Sequence, residues 1–218
     1  MSYAETYLRY KFDYGELQKR HLDLKLKNPD GSCFTMSCRW ARELLDRPST
    51  PSMVLARLLE MEIMALAPVH SVYIKETRTD LPQEQRNKGY VRVFRAFHLT
   101  SPTLTGTNPR EDFVPSFTTS NADDGTDWMG LVPGDMWGAV YRWGMREKKP
   151  FAAILQDDEH AVGLFSNDAS LRIWDMNAGE FLISDAKGWG EWSKEFEKFE
   201  TRGGTLSKVE VIPVQRAR

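Results

Sequence analysis

Hydrophobic and polar positions divide the chain into two regimes. In the first half apolar residues recur three or four apart. Cys33, Met36 or Ser37, Trp40 and Leu44 mark a helix from about Ser32 to Leu45, closed by the break Asp46-Arg47-Pro48-Ser49-Thr50-Pro51. Leu55, Leu58, Leu59, Ile63 and Leu66, with Glu62 among them, mark a second helix that starts near Ser52 and ends before Pro68, with Met53, Met61 and Met64 as core filler. Pro133-Gly134-Asp135 introduces a third, Met136 to about Met145, with a stripe of Met136, Ala139, Val140 and Trp143. After Lys148-Lys149-Pro150 the period changes. Phe151–Leu155, Ala161–Phe165, Ser170–Trp174, Gly179–Ile183 and Val209–Val214 are short apolar runs divided by turn residues, the pattern of an antiparallel sheet. Trp189, Trp192, Phe196 and Phe199 put one apolar face on a helix between the last two of these strands.

Residues 1–27 read as a short helix or irregular arm, then a brief extended piece in which Leu22, Leu24 and Leu26 alternate. From Val69 to about Gly134 the pattern is weak, with short apolar pieces such as Tyr90 to Phe97 and an exposed loop at Asn121–Asp127. The passage from helical to sheet-rich predicts an α+β fold. One domain over residues 1–218 is expected, helical to about 148 and sheet from about 150, with a crevice between the parts.

Composition narrows the function. With 218 residues, 41% of them apolar, and seven Trp, seven Tyr and eleven Phe, a sizeable core is within reach. A net charge of -2 gives no reason to expect a nucleic acid or an anionic membrane as partner. No apolar run approaches the roughly 18 to 20 residues of a membrane span, so a soluble protein is expected. The start, Met1-Ser2-Tyr3-Ala4-Glu5-Thr6-Tyr7, lacks the charged head and apolar run of a secretory signal, so any export is expected to need no cleaved leader. Asp123, Asp124 and Asp127 imitate a calcium loop, but Gly is misplaced and no Glu closes it, so no metal is expected there.

The two cysteines, Cys33 and Cys38, point about 140° apart on a regular helix, which disfavours a disulfide, and C-x4-C without a following Cys or His pair is not a zinc set. Both observations suit a reducing compartment. The turn-forming Asn28-Pro29-Asp30-Gly31 runs directly into Ser32-Cys33, so Cys33 opens its helix. There the first-turn N–H groups and the positive end of the helix dipole stabilise an anion and favour the reactive thiolate. A buried core thiol is the other reading of this position, and the stretch alone does not choose.

A thiol nucleophile needs a base and a group to orient that base. Of four histidines, His21 lies in a charged arm, and His70 and His98 sit in weakly patterned segments without a carboxylate at hand. His160 stands where Gln156-Asp157-Asp158-Glu159 enters a strand, and Asp175 ends the next strand, so antiparallel pairing makes them cross-strand neighbours. Asp175 also reads as a turn aspartate before Asn177-Ala178-Gly179.

Gly31-x-Cys33-x-x-Met36-Ser37-x-x-Trp40, followed by the strand-initial His160 and by Asp175-x-Asn177-x-Gly179, resembles the YopT-type cysteine proteases, a bacterial branch of the papain-like superfamily. Met36 stands where a leucine is commoner, a volume-conserving exchange. The resemblance implies a papain-like fold, with the helix of the nucleophile packed on an antiparallel β-sheet. It implies Cys33 as nucleophile, His160 as general base and acid, Asp175 as the residue that orients His160, and Asn28 as oxyanion-hole asparagine. Asn28 equally reads as the first residue of an Asx-type turn before Pro29. Met36, Ser37 and Trp40 match packing positions, and residues 77–135 are where substrate-binding loops would lie.

No cofactor or metal follows from it. The implied activity is thiol-dependent peptide hydrolysis by an effector or toxin, cytoplasmic until it is secreted by a leaderless route into a host cell or a rival bacterium. Its expected partners are a protein substrate in the target cell and a chaperone or immunity protein. The same triad would also serve a transglutaminase, deamidase or acyltransferase, and a binding module would keep the fold without turnover.

Overall fold

The computed structural model of the chain describes residues 5–21, 32–78, 80–101, 104, 117–118, 141, 150–156, 160–167, 170–200 and 210–217. A 3-10 turn at Glu5–Tyr7 leads into strand β1 (Leu8–Lys11) and helix α1 (Tyr14–His21). Three helices follow: α2 (Ser32–Asp46), α3 (Ser52–Glu76) and α4 (Gln83–Ala96). Two short strands, β2 (Leu99–Thr100) and β3 (Phe117–Thr118), precede the meander β4 (Phe151–Gln156), β5 (Ala161–Asn167), β6 (Ser170–Asp175) and β7 (Gly179–Ile183). Helix α5 (Ala186–Glu200) and β8 (Glu210–Arg216) complete the order.

The strands form a sheet in the order β1-β7-β6-β5-β4-β8-β2, with β3 also on β8, and every pairing is antiparallel. The strands read from sequence are present to within two residues at each end. Their apolar runs are continuous rather than alternating because both faces of the sheet are buried. One face carries Ala152, Ile154, Ala161, Phe165, Trp174, Ile212 and Val214 against α2 to α4. The other carries Leu155, Val162, Leu164, Ile173, Phe181 and Val211 against Trp189, Trp192 and Phe196 of α5. The sheet is therefore the middle layer, and α5 covers the side that α2 does not.

Helix α2 lies close on the strands because β5 offers bare backbone at Gly163. A Cβ there would stand 2.6 Å from Trp40 Cε3. The Trp40 indole N–H donates to Glu180 Oε2 at 3.1 Å, and the other oxygen of this buried carboxylate accepts Ser52 Oγ at 3.0 Å and Arg172 Nε at 2.6 Å. Arg172 also donates to the Pro48 carbonyl at 3.2 Å. Glu180 thus joins α2, the start of α3 and two strands, and its burial is offset by donors on several sides.

The short helix of the N-terminal arm is α1, ahead of which β1 pairs with β7, and the extended piece expected at Leu22, Leu24 and Leu26 lies outside the described residues. Three expectations are corrected. Helix α3 does not end before Pro68 but runs through it to Glu76. The lost backbone hydrogen bond, about 3 kcal/mol or more in a helix interior, is outweighed because the second half of α3 buries His70 and stacks Tyr73 on Phe34 at 4.4 Å. Met53 and Met61 are not core filler, being 49% and 81% exposed. The weakly patterned stretch holds helix α4, which buries only Tyr90, Val93 and Phe94 with Gly89 and is otherwise polar. The expected third helix is described only at Tyr141, whose ring lies 5.9 Å from Trp189, and the loop 121–127 lies outside the described residues. Among the described residues no helix is long and apolar enough to cross a membrane.

Gly163→Ala should push Trp40 off the sheet and destabilise the protein by about 1–3 kcal/mol, the usual penalty of overpacking. Urea unfolding measures this, and an unchanged midpoint would contradict so close an approach of α2 to β5.

Candidate active site

Cys33 is the second residue of α2 and is 4% exposed. Its N–H is among the first-turn donors without an intrahelical acceptor, and it faces the positive end of the helix. The turn is tied down locally, since Thr35 Oγ1 donates to the Ser32 carbonyl at 3.1 Å and Tyr14 OH donates to Ser32 Oγ at 3.2 Å.

The sheet supplies the other two side chains. His160 immediately precedes β5, and Asp175 is the last residue of β6. Continuing the Gly163↔Trp174 register makes them diagonal neighbours, and His160 Nε2 stands 3.1 Å from Asp175 Oδ1. The same oxygen accepts the Asn177 N–H at 2.8 Å, and the Asp175 carbonyl accepts the Ala178 N–H at 3.2 Å. Asp175 is therefore the turn aspartate and the partner of His160 at once: the Asx-type bond fixes the carboxylate that the imidazole meets. Asp175 is fully buried, and the His160 ring lies 6.1 Å from that of Phe196 on α5.

The Cys33 thiol lies near enough to the His160 ring to favour its protonated form. With Nε2 on Asp175, Nδ1 is the nitrogen left for sulfur. Burial by itself would lower the pKa of this ring. The Asp175 charge, its hydrogen bond and the Cys33 contact outweigh burial and hold the ring well above the ordinary histidine value of 6.5. Side chains from α2, from the residue before β5 and from the end of β6 thus meet. A thiol, an imidazole and a buried carboxylate in this order are a set that can attack an acyl carbon.

Asn28 lies outside the described residues. Cys38 is fully buried, and burial, then the neighbouring Cys33, pushes its thiol well above the ordinary value, as for an inert core thiol. His70 is buried beside Tyr73, and His98 is an exposed residue at φ 53° after α4. His21 ends α1. Met36, Ser37 and Trp40 are fully buried. Among the described residues no group of three or more His, Cys, Asp or Glu is placed to hold a metal ion.

Sequence reasoning missed Tyr14, Glu180 and the position of Phe196 over His160. Phe196 was visible as part of an amphipathic face, but the strand against which that face packs was not. Glu180 in Gly179-Glu180-Phe181 carries no local signal, since only the pairing of β6, β7 and α2 surrounds it with donors.

No protein-family model matches the chain, and a search of curated proteins finds no match. Among solved structures it is similar to the Pseudomonas avirulence protein AvrPphB, with a TM-score of 0.60 and 12% identity, over 97% of this chain and 99% of that one. At that identity the likeness speaks for architecture, and it extends over nearly the full length of both chains. The chain has the α+β fold of that structure, a papain-like fold.

Proposed function

We propose that this chain is a cysteine peptidase that acts on a protein substrate inside another cell, with residues 1–218 forming one papain-like domain. The observation that supports it is the meeting of the Cys33 thiol, at a helix start, with a His160 ring that is held at 3.1 Å by the buried Asp175. His160 takes the thiol proton, and sulfur adds to the peptide carbonyl. The Cys33 N–H and Asn28 hold the oxyanion. His160 then gives its proton to the leaving amine as the C–N bond breaks, and water, deprotonated by the same ring, releases the acyl group and restores the thiol. Likeness to an avirulence protein at the level of fold supports an effector role, for which a chaperone or immunity protein is the proposed partner.

Cys33→Ala should abolish cleavage of a denatured-proteome peptide library read by mass spectrometry, with the unfolding midpoint kept. Cut peptides are expected. Mass shifts without cuts would instead identify a deamidase or transglutaminase. A library that wild type leaves untouched, or that Cys33→Ala still cuts, would overturn the proposal.

The raised His160 value fixes the sign of the pH dependence. The ring loses its proton well above pH 6.5, so the alkaline limb of kcat/KM lies well above pH 6.5. In Asp175→Asn the main influence raising the ring is gone while burial still lowers it. The limb should move to lower pH, with a loss of about 10²- to 10⁴-fold in rate. For folding, the His160 contribution to stability is complete below about pH 6.5 and is lost as pH rises through the raised value. A ring whose resonances titrate at the ordinary value would contradict both statements.

A further inference from the structure

The nucleophile and the acid–base pair sit on different layers, and the clamp at Trp40 is two helical turns from Cys33, about 10 Å at 1.5 Å per residue. Something else must hold the start of α2. On the side of α3 and α4 Phe34 packs on Tyr73, Tyr90 and Phe94; on the side of the Asp175 turn the start of α2 meets Tyr14, 6% exposed, whose hydroxyl donates to Ser32 Oγ at 3.2 Å, one residue before Cys33.

The stretch that carries Tyr14 is fixed at its other end to the Asp175 turn. Lys11 pairs with Gly179, and the Phe12 N–H donates to the Ala178 carbonyl at 3.1 Å. The Phe12 ring meets Trp174, the neighbour of Asp175, edge-on at 4.9 Å. The approach is close enough that a Cβ on Gly179, at φ 130°, would stand 1.9 Å from the Tyr10 carbonyl oxygen. Phe12 and Tyr14 are two residues apart, at most about 7 Å of chain. The turn that holds the carboxylate and the residue that precedes the thiol are thus joined by one short link, anchored by the buried side chains of Phe12 and Tyr14.

We infer that Tyr14 is a positioning residue for Cys33, setting the start of α2 at a fixed height against the Asp175 turn through its bond to Ser32. The inference rests on Cys33 and His160 acting as nucleophile and base. A displaced near-attack geometry loses rate steeply, so even a single modest hydrogen bond at this place is kinetically visible.

The test is the rate of Cys33 alkylation by iodoacetamide from pH 5 to 9, located by fragmentation mass spectrometry with Cys38 as internal control. Wild type, Tyr14→Phe, Ser32→Ala and the double variant are compared. Wild type should react at pH 6 far faster than a free thiol. Each single variant should lose about fivefold at pH 6, the worth of one hydrogen bond, and the double variant no more than either. A Tyr14 that only stabilises the fold would lower the urea midpoint and leave the rate–pH profile of folded protein unchanged, and that result overturns the inference. If Tyr14→Phe does not fold, Ser32→Ala alone gives the reading. Fast wild type with unchanged variants sinks only the role of Tyr14, whereas wild type no faster than a free thiol at pH 6 sinks the nucleophile reading as well.

Discussion

The structure depends on an indole laid against a strand that has no side chain beneath it. Trp40 on Gly163 brings α2 nearer to β5 than any Cβ would allow. Its N–H then finds Glu180, whose second oxygen is held by Arg172 and Ser52. An apolar contact sets the distance and a buried carboxylate sets the direction. Packing alone tolerates sliding, whereas a hydrogen bond to a fixed anion does not. A helix held in both ways projects its first turn past the end of the sheet, where His160 and Asp175 stand.

At that end two opposing electrostatic effects meet. Burial disfavours a charged imidazole, and Asp175 favours it; the carboxylate prevails and the pKa of the ring is raised. Phe196, 6.1 Å from the ring, closes the α5 side, so the His160–Asp175 bond is made in an apolar setting that strengthens it. Asp175 stays in place because the Asn177 N–H holds the same oxygen. One residue thus ends a strand, shapes the turn and faces the imidazole.

The parts that were legible in sequence were those written in local periods. The run Cys33, Trp40 and Leu44 marked α2, and the apolar runs from Phe151 to Ile183 marked the meander, because both faces of those strands need apolar residues. Cys33, His160 and Asp175 were legible because a helix start, a strand start and a strand end have sequence signs. What was missed depends on tertiary partners. Helix α4 carries too few apolar residues to show a stripe, and the passage of α3 through Pro68 is maintained by contacts such as Tyr73 on Phe34. Tyr14 and Glu180 acquire meaning only from groups far along the chain, at Ser32, Trp40 and Arg172.

The meander has a further consequence, for the order in which the molecule assembles. β4 to β7 pair each with the next in sequence, so His160 and Asp175 are brought together by short-range hairpins that form quickly. The flank of β4 away from β5 is filled by β8, from the last few residues of the chain, and the thiol must be carried in on a helix that lies more than a hundred residues upstream. Loop closure over that span makes docking of α2 a late event. A ribosome would thus release the sulfur-bearing segment long before the groups that face it exist, and the thiol meets its imidazole and carboxylate neighbours only once β5 and β6 have emerged.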